Sequence, residues 1–343
     1  TQVGFSAMEE IQRYSSIFGR EGESASPTAS IYFNGTRVGY TRAPVMAAFS
    51  ARGPNPLSLD VLKPDFTAPG VNILAAWTAA SSATGIDEDK RRGLFNIISG
   101  TSMSCPHVAG LAALLKSAHP TWSPAAIKSA LMTTAKVVDD TGRPITDSAA
   151  GGADATPLGF GAGHVNPNAA LDPGLIYDIE PQDYLNFLCA LNYNESMITA
   201  FSSMFLCNQS HPSLGDLNYP SINAVFRQHG HVTSERSAYS STVIRTVTNV
   251  GLPSSTYSVN VVPPPLVNVS VSPTTLHFNS SSQKLSYSIT FTAPYLSSLP
   301  QGFAFSFGSL HWYDDQHHIV RSPISFIWYD SSTNTSSTQT TQH

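Results

Sequence analysis

The residues best placed for chemistry lie in one short segment, Gly-Thr-Ser-Met-Ser-Cys-Pro-His at positions 100–107. A β-type run at 95–98 ends just before it, and a small, apolar run at 108–115 predicts a buried helix. Ser102 is therefore expected at a helix N-terminus, beside backbone N–H groups that lack helical partners and can hold an oxyanion. From the residues alone, a helix-capping serine is favoured over a nucleophile, because capping serines are far commoner.

Two other groups of reactive side chains have simpler explanations. Cys105 lies three residues after Ser102 in the same apolar helix, so we expect a buried structural thiol rather than a cysteine nucleophile. A cluster of acidic and imidazole side chains near residue 315 has the composition of a metal site. Because it falls at the predicted tip of a hairpin, we expect solvated turn residues there instead: Asp314, Asp315, His317 and His318. No metal or organic cofactor is expected.

The overall composition argues against several classes of protein. The chain has 343 residues, with 18 Lys and Arg against 23 Asp and Glu, so its formal net charge is −5. This balance argues against a nucleic-acid-binding protein and against a polybasic membrane-surface protein. No apolar run approaches the roughly 20 residues of a membrane span, so none is expected. With 12% charged and 41% hydrophobic residues, the chain is typical of a loop-rich globular protein.

Sequons and cysteines indicate an oxidising, extracellular environment. The low charge suits a surface that is made soluble partly by sugars. Six Asn-x-Ser/Thr sequons are candidate glycosylation sites: Asn34, Asn194, Asn208, Asn268, Asn279 and Asn334. Of the three cysteines, Cys189 and Cys207 flank a Ser-rich loop, so we expect these two to form a disulfide and Cys105 to remain a free thiol.

The spacing of apolar residues changes along the chain. Residues 37–180 are rich in Ala and Gly and alternate short strands with helices, which predicts an α/β region. One helix should begin at Ser123 and Pro124, with the serine as N-cap and the proline in the first helical position. Past residue 215, apolar and polar residues alternate with a period of two, and the alternation is strict at 285–292. Half-buried strands separated by Pro, Gly and Asn clusters predict a β-sandwich.

The segment at 100–107 resembles the nucleophile segment of subtilisin-like serine proteases, whose pattern is Gly-Thr-Ser-Met-x-x-Pro-His. Phe-Ser-Ala-Arg-Gly-Pro-Asn at 49–55 and Lys-Pro-Asp-Phe-Thr-Ala-Pro-Gly-Val-Asn-Ile at 63–73 are similar to blocks of the same family. Five further segments resemble plant subtilases specifically. They are Gly-Ala-Gly-His-Val-Asn-Pro at 161–167, Asp-Pro-Gly-Leu-Ile-Tyr-Asp at 172–178, Leu-Asn-Tyr-Pro-Ser at 217–221, Arg-Thr-Val-Thr-Asn-Val-Gly at 245–251 and Val-Arg-Ser-Pro-Ile at 320–324. The resemblance covers nearly the whole chain except its last residues.

This resemblance implies a serine endopeptidase in which Ser102 is the nucleophile, a His is its base and an Asp orients the His. In the family the Asp, the His and the oxyanion-binding Asn precede the Ser, so all three are expected upstream of this chain. The Asp-Thr-Gly segment that starts at Asp140 has the same three residues as the segment around the family's catalytic aspartate. Because it follows Ser102 in the chain, we expect it to form a turn instead. His107 and His164 are expected to have structural roles rather than catalytic ones.

The resemblance also divides the chain into domains. Residues 1–36 resemble the end of a protease-associated domain insert, 37–180 the C-terminal half of a subtilisin-type catalytic domain with a parallel sheet, and 216–330 a fibronectin-III-like β-sandwich. Residues 181–215 would connect the last two. The Ser/Thr/Gln-rich residues 331–343 are expected to form a disordered tail.

The expected function is that of a secreted, extracellular protease that acts in the apoplast or cell wall on protein or peptide substrates. Because the implied base and its partners lie outside the sequence, the chain is expected to be a fragment that is inactive without the missing N-terminal half of the catalytic domain. The alternative is a non-catalytic extracellular binding module that derives from a subtilase and acts through the sandwich.

Overall fold

The computed structural model describes residues 5–17, 28–30, 42–202, 205, 207, 213–228, 239–296 and 303–330. The chain separates into two compact units, Thr1–Thr41 and Arg42–His343. The described part of the first unit contains helix α1 (Phe5–Ile17), whose Tyr14 hydroxyl accepts a hydrogen bond from the Thr28 N–H at 3.4 Å. The expected tail at 331–343 and the sequons at Asn34, Asn208 and Asn334 lie outside the described residues.

The second unit begins with the α/β region, residues 42–174. Its strands and helices in chain order are β1 (Val45–Met46), β2 (Ile73–Ala76), β3 (Phe95–Ile98), α2 (Thr101–Ala118), α3 (Pro124–Thr133), β4 (Thr146–Asp147), β5 (Ala153–Asp154), α4 (Pro157–Phe160) and α5 (Pro167–Ala170), with a short 3-10 helix at Ser148–Ala150. There follow β6 (Leu175–Ile176), α6 (Pro181–Ala190), α7 (Glu195–Thr199) and a 3-10 turn at Leu214–Asp216. The remaining strands are β7 (Ile222–Gln228), β8 (Tyr239–Asn249), β9 (Ser255–Val262), β10 (Asn268–Ser272), β11 (Thr275–Phe278), β12 (Lys284–Ala293), β13 (Phe303–Tyr313) and β14 (Ile319–Asp330).

Helix α3 begins where the sequence predicts it. The Ser123 hydroxyl caps the helix by accepting a hydrogen bond from the Ala126 N–H at 2.9 Å, and Pro124 occupies the first helical position. The apolar face of α3 packs with Leu115 of α2 and Ile176 of β6 in one buried cluster. The cap satisfies an N–H group that has no helical partner, and the proline fixes a backbone angle that the helix requires.

Helix α2 is largely exposed, and the prediction that it is buried all round is wrong. Leu115 is the one buried residue among its eighteen, while the neighbouring Leu114 is 66% exposed. Cys105 is free, as expected, but it is exposed rather than buried. The helix packs on α3 along one side, and a cavity of about 1080 Å³ runs along another. A sequence that is apolar all round predicts a helix that is buried on every side. The helix is buried, however, only where other elements pack against it.

Small sheets surround the start of α2. β1 pairs in parallel with β4, which pairs antiparallel with β5, and β2 pairs antiparallel with β3. Thr67 and His164 form an isolated parallel bridge. These pairings bring the loop at 67–72 and the end of β3 together at the first turn of α2.

β6–β14 form a two-sheet sandwich, and the alternating run at 285–292 lies in one of its strands, β12. One sheet has the strand order β10-β12-β8-β6, and the other has the order β11-β9-β13-β14-β7. Alternate residues face the core, as Tyr287, Ile289 and Phe291 do in β12. The ring of Tyr287 packs edge-to-face against the buried Trp312 of β13, with 5.0 Å between centroids. The fold is therefore an α/β region followed by a β-sandwich, as expected.

The α/β region enters the sandwich directly through β6, which pairs with β8. Leu175 and Tyr177 lie in the core of the sandwich, although the sequence grouped them with the catalytic region. The Tyr177 hydroxyl is 2.7 Å from that of Tyr287 and accepts a hydrogen bond from the Ser322 hydroxyl at 3.0 Å. A two-residue strand is too short to show a period, so the sequence pattern could not assign it.

Cys189 and Cys207 are joined in a disulfide whose Cα atoms are 5.8 Å apart, which is the pairing expected from the sequence. The described sequons, at Asn194, Asn268 and Asn279, are all exposed. In the parts of the chain that the structure describes, no helix is both long and apolar enough to cross a membrane.

Candidate functional site

Ser102 is the second residue of α2, one turn after the end of β3. Gly100 precedes the helix and has no side chain to cap it. Its N–H donates to the Gly70 carbonyl at 2.8 Å, and its own carbonyl accepts from the Met103 N–H at 3.0 Å. These two hydrogen bonds fix the direction in which the chain enters the helix, and so they fix the position of Ser102.

The loop at 67–72 supports this helix start from one side. The Ser104 hydroxyl donates to the Ala68 carbonyl at 3.0 Å. Gly70 lies so close to the helix that a Cβ there would be 2.3 Å from Ser104 Oγ and 2.9 Å from the Gly100 carbonyl oxygen. No residue with a side chain fits that position without displacing the first turn of α2.

The same loop is held from its other side by the segment around His164. The Thr67 N–H donates to the Gly163 carbonyl at 2.8 Å, and the Val165 N–H donates to the Thr67 carbonyl at 2.9 Å. Further along, the Asn72 N–H donates to the Ser99 hydroxyl at 2.7 Å. The loop that supports the first turn of α2 is thus itself held by hydrogen bonds to residues 163–165 and to Ser99.

The Ser102 hydroxyl is exposed and has no hydrogen-bond partner within the described residues. The N–H groups of Thr101 and Ser102 likewise have no acceptor there, which is the usual state of a helix N-terminus. Pro106 lacks the N–H that would bond to the Ser102 carbonyl one turn earlier. The site therefore presents an unpaired hydroxyl and unpaired N–H donors in the positive field of a helix N-terminus.

None of the described histidines or Asp140 is hydrogen-bonded to Ser102. His107 Nδ1 lies 2.8 Å from the Met103 carbonyl oxygen, one turn back in the same helix. His164 is half-buried, and its burial lowers its pKa. Asp140 accepts hydrogen bonds from the backbone N–H groups of Arg42 at 2.8 Å and Ala43 at 2.9 Å, in a turn, as expected. The described residues thus place a serine without a general base beside it.

An apolar surface extends from the site. It includes Leu74 of β2 and Phe95 of β3, which are 66% and 67% exposed, together with the exposed side of α2. Thr101, Ser104 and Cys105 line one wall of the cavity beside α2. Exposed apolar surfaces of this kind are typical of interaction sites and ligand-binding grooves.

The hairpin tip between β13 and β14 agrees with its prediction in part: Asp315 and His317 are exposed there, as expected, whereas Asp314 and His318 are not. Asp314 has a side chain that is 2% exposed, and His318 is also mostly enclosed, so these two are not solvated turn residues. Their side chains hydrogen-bond to each other, with 2.5 Å between Nδ1 and Oδ2. Within the described stretches of the chain, no three acidic, His or Cys residues are grouped as a metal site requires. The sequence missed this pair because tips of hairpins are usually solvated.

The comparisons with known proteins agree with this arrangement. The Subtilase family model matches residues 20–163, and the Fibronectin type-III domain model matches residues 216–326. Subtilisin-like protease SBT1.3 of Arabidopsis thaliana is 50% identical over 308 residues, which cover 89% of this chain and 38% of that protein. Subtilisin-like protease SBT1.7 of the same plant is 50% identical over 331 residues, 96% of this chain and 41% of that protein. Subtilisin-like protease Glyma18g48580 of Glycine max is 48% identical over 293 residues, 84% and 35% of the two chains.

The chain thus spans well under half the length of these relatives. Ser102, α2 and the supporting loop at 67–72 all lie within the match to the Subtilase family. Most of the sandwich lies within the match to the Fibronectin type-III domain. The chain therefore carries a region of the subtilase family, at residues 20–163, followed by a fibronectin type-III domain, at residues 216–326.

Proposed function

We propose that this chain is part of a serine endopeptidase that cleaves peptide bonds through an acyl-enzyme on Ser102. The observation that carries the proposal is the placement of Ser102 in the second position of α2, where its hydroxyl and the neighbouring backbone N–H groups have no partner among the residues that the structure describes. A nucleophilic serine needs this combination of an accessible oxygen and donors for the oxyanion. The similarity to proteins named subtilisin-like proteases supports the same function.

In the proposed reaction, Ser102 Oγ attacks the carbonyl carbon of a substrate peptide while a histidine base takes the hydroxyl proton. The N–H groups at the start of α2 stabilise the negative oxygen of the tetrahedral intermediate. The amine leaves with the proton, and water then releases the acyl group from Ser102. The histidine, its aspartate and a side-chain oxyanion donor would come from residues outside this chain.

The open apolar surface beside α2 supports the participation of further residues. We propose that the N-terminal half of the catalytic domain covers the exposed side of α2 and the cavity that Cys105 lines. Its absence would leave Ser102 correctly placed but without a base. The proposed partners are this missing half and a protein or peptide substrate, and the proposed chemistry needs no metal or organic cofactor.

The proposed location is extracellular, in the apoplast or cell wall. The exposed sequons at Asn194, Asn268 and Asn279 are accessible to glycosylation, and a disulfide joins Cys189 to Cys207. Disulfides persist in oxidising compartments, so both features agree with secretion.

A fluorophosphonate probe, which reacts with activated serines, tests the proposal. This chain alone should not be labelled, whereas the complete protein encoded by the native transcript should be labelled and should hydrolyse peptides. Ser102→Ala in the complete protein should abolish both, and Ser117→Ala, far along the same exposed helix, should change neither. Removal of the serine of subtilisin, a member of the same family, lowers kcat about a million-fold, and we expect a loss of that order. A complete protein that is labelled equally well after Ser102→Ala would refute the proposal.

A second candidate function is non-catalytic binding by the sandwich, and one observation favours it. Phe303, Phe305 and Phe307 are half-exposed on one face of β13, and their rings are nearly parallel, with centroids 6.0 and 6.4 Å apart. Rows of aromatic side chains at a surface are typical of binding sites. A folded complete protein that neither reacts with the probe nor cleaves peptides would favour this function over catalysis.

A further inference from the structure

At the tip of the β13–β14 hairpin, His318 contacts the α/β region. Its Nδ1 is 2.5 Å from Asp314 Oδ2, within the hairpin. Its Nε2 is 3.2 Å from Asp172 Oδ2, in the loop that leads from α5 to β6. A neutral imidazole carries one N–H, so it can donate to one of these carboxylates, whereas an imidazolium can donate to both.

Asp314 is held in place as an anion. Its Oδ1 accepts backbone N–H groups from Gln316 at 3.1 Å, His317 at 2.9 Å and His318 at 2.7 Å. Its side chain is almost fully enclosed, so an unpaired charge there would be costly. Burial opposes ionisation of Asp314, but the hydrogen bonds from His318 and these N–H groups outweigh it and lower its pKa.

Asp172 belongs to the loop through which the α/β region enters the sandwich. Two residues later, the Gly174 carbonyl accepts the N–H groups of Val250 at 2.9 Å and Gly251 at 3.2 Å, just after β8. Gly174 has a φ of 74°, and a Cβ there would lie 2.8 Å from His318 Cγ. The loop therefore passes directly against the histidine ring, and only glycine permits this approach.

Several other groups face His318. On its own hairpin, His317 has its ring centroid 6.1 Å away, and Asp315 lies at the same tip. Arg321 of β14 lines the same cavity of about 450 Å³, and the buried Tyr257 of β9 lies across Gly174. Burial and the charge of Asp314 raise the pKa of Tyr257, so this hydroxyl stays neutral. Among these groups, the carboxylates of Asp314 and Asp172 favour a positive charge on His318.

We propose that His318, Asp314 and Asp172 form a proton-operated latch between the α/β region and the sandwich. With His318 protonated, both carboxylates are bound and the loop at 172–174 is tied to the hairpin. When the proton leaves, Nδ1–H keeps its hydrogen bond to the buried Asp314. Nε2 then turns a lone pair toward Asp172, so the hydrogen bond between the hairpin tip and the loop at 172–174 is lost. Other contacts between the two regions, such as the one from Arg321 Nη1 to the Ala162 carbonyl oxygen at 2.8 Å, remain.

The direction of the pH dependence follows from the charges. Burial alone would lower the pKa of His318, but Asp314 and Asp172 outweigh it and raise the pKa above the usual 6.5. The latch therefore contributes its full stability below about pH 6.5 and loses it as the pH rises through the folded-state pKa of His318.

NMR titration of the histidines in the whole chain tests the latch, with His318→Gln identifying the resonance. The pKa of His318 should lie above 6.5, and Asp172→Asn should lower its proton affinity about two- to fivefold, as expected for a half-exposed pair. Hydrogen exchange at the N–H groups of Val250 and Gly251 should quicken at high pH beyond the intrinsic rate in the native chain but not in Asp172→Asn. His277→Gln removes an exposed histidine of β11 and should change neither result.

The predicted outcomes do not depend on peptidase activity, so the latch can fail while the proposed function stands. A pKa of His318 at or below 6.5 would overturn the proposal. So would an unchanged pKa in Asp172→Asn, because the contact between His318 and Asp172 would then be energetically absent. Asp172 is exposed at the surface, so this variant is expected to fold even where His318→Gln does not.

Discussion

The two regions of this molecule bury their apolar side chains very differently. In the sandwich, Leu310, Trp312 and Ile324 are completely buried between two sheets. In the α/β region, Leu74 and Phe95 remain mostly exposed, on strands that pair with each other and little else. The sandwich strands find their partners within the chain, because β8 pairs with β12 and β13 with β14. Burial in the sandwich is complete because each of its two sheets covers the inner face of the other.

The largest expected effect is a difference in independent folding. A fragment of residues 171–330 should fold with a cooperative thermal transition, because it retains β6 and the rest of the buried core. A fragment of residues 42–174 should be unfolded or should bind the dye ANS, since its apolar surfaces remain open. Circular dichroism and ANS fluorescence measure both outcomes. A fragment of residues 216–330 lacks Leu175 and Tyr177 and should melt at a lower temperature than 171–330.

The opposite result would break the comparison. If residues 42–174 melt cooperatively while residues 171–330 do not, the α/β region is the autonomous unit and burial in the sandwich is not what stabilises the chain. Equal melting temperatures for 171–330 and 216–330 would instead show that β6 contributes nothing to the sandwich.

Two leucines sharpen the comparison with matched substitutions. Leu310→Ala leaves a cavity in a closed core and should lower the free energy of unfolding by about 2–5 kcal/mol. Leu114→Ala removes the same atoms from an exposed position on α2 and should change it by less than about 0.5 kcal/mol. Urea denaturation of the whole chain measures both. A cost of several kcal/mol for Leu114→Ala would mean that something in this chain covers α2.

The sequence predicted the elements that depend on local patterns. Ser123 and Pro124 mark the start of α3 because capping is a matter of a few adjacent residues. The strict alternation at 285–292 predicts β12, because one strand face meets the core along its whole length. The placement of Ser102 at the start of a helix follows from the adjacent glycine and apolar run, and its catalytic role stays a proposal.

What the sequence could not predict depends on distant partners. The exposure of α2 and Cys105 follows from what packs against the helix, and no local pattern records that. The contact of His318 with Asp172 joins a hairpin tip to a loop far away in the chain. The sequence showed that acidic residues and histidines are concentrated in this hairpin. Only the fold shows that the second carboxylate beside His318, that of Asp172, comes from the α/β region.

The smallest expected effect concerns an exposed ion pair beside the sandwich. Lys284 of β12 lies 3.2 Å from Glu180, the residue before α6, and the two side chains are 53% and 69% exposed. Water screens such a pair, and holding two long side chains in one geometry costs entropy, so Lys284→Ala should lower the free energy of unfolding by less than about 1 kcal/mol. In 1 M salt, where the screening length is about 3 Å, the difference between the native chain and the variant should disappear. Urea denaturation at low and high salt makes the measurement. A larger loss of unfolding free energy that persists in salt would show that the contact stabilises by packing of the lysine side-chain methylenes rather than by charge. Burial would then extend from the closed core of the sandwich onto α6.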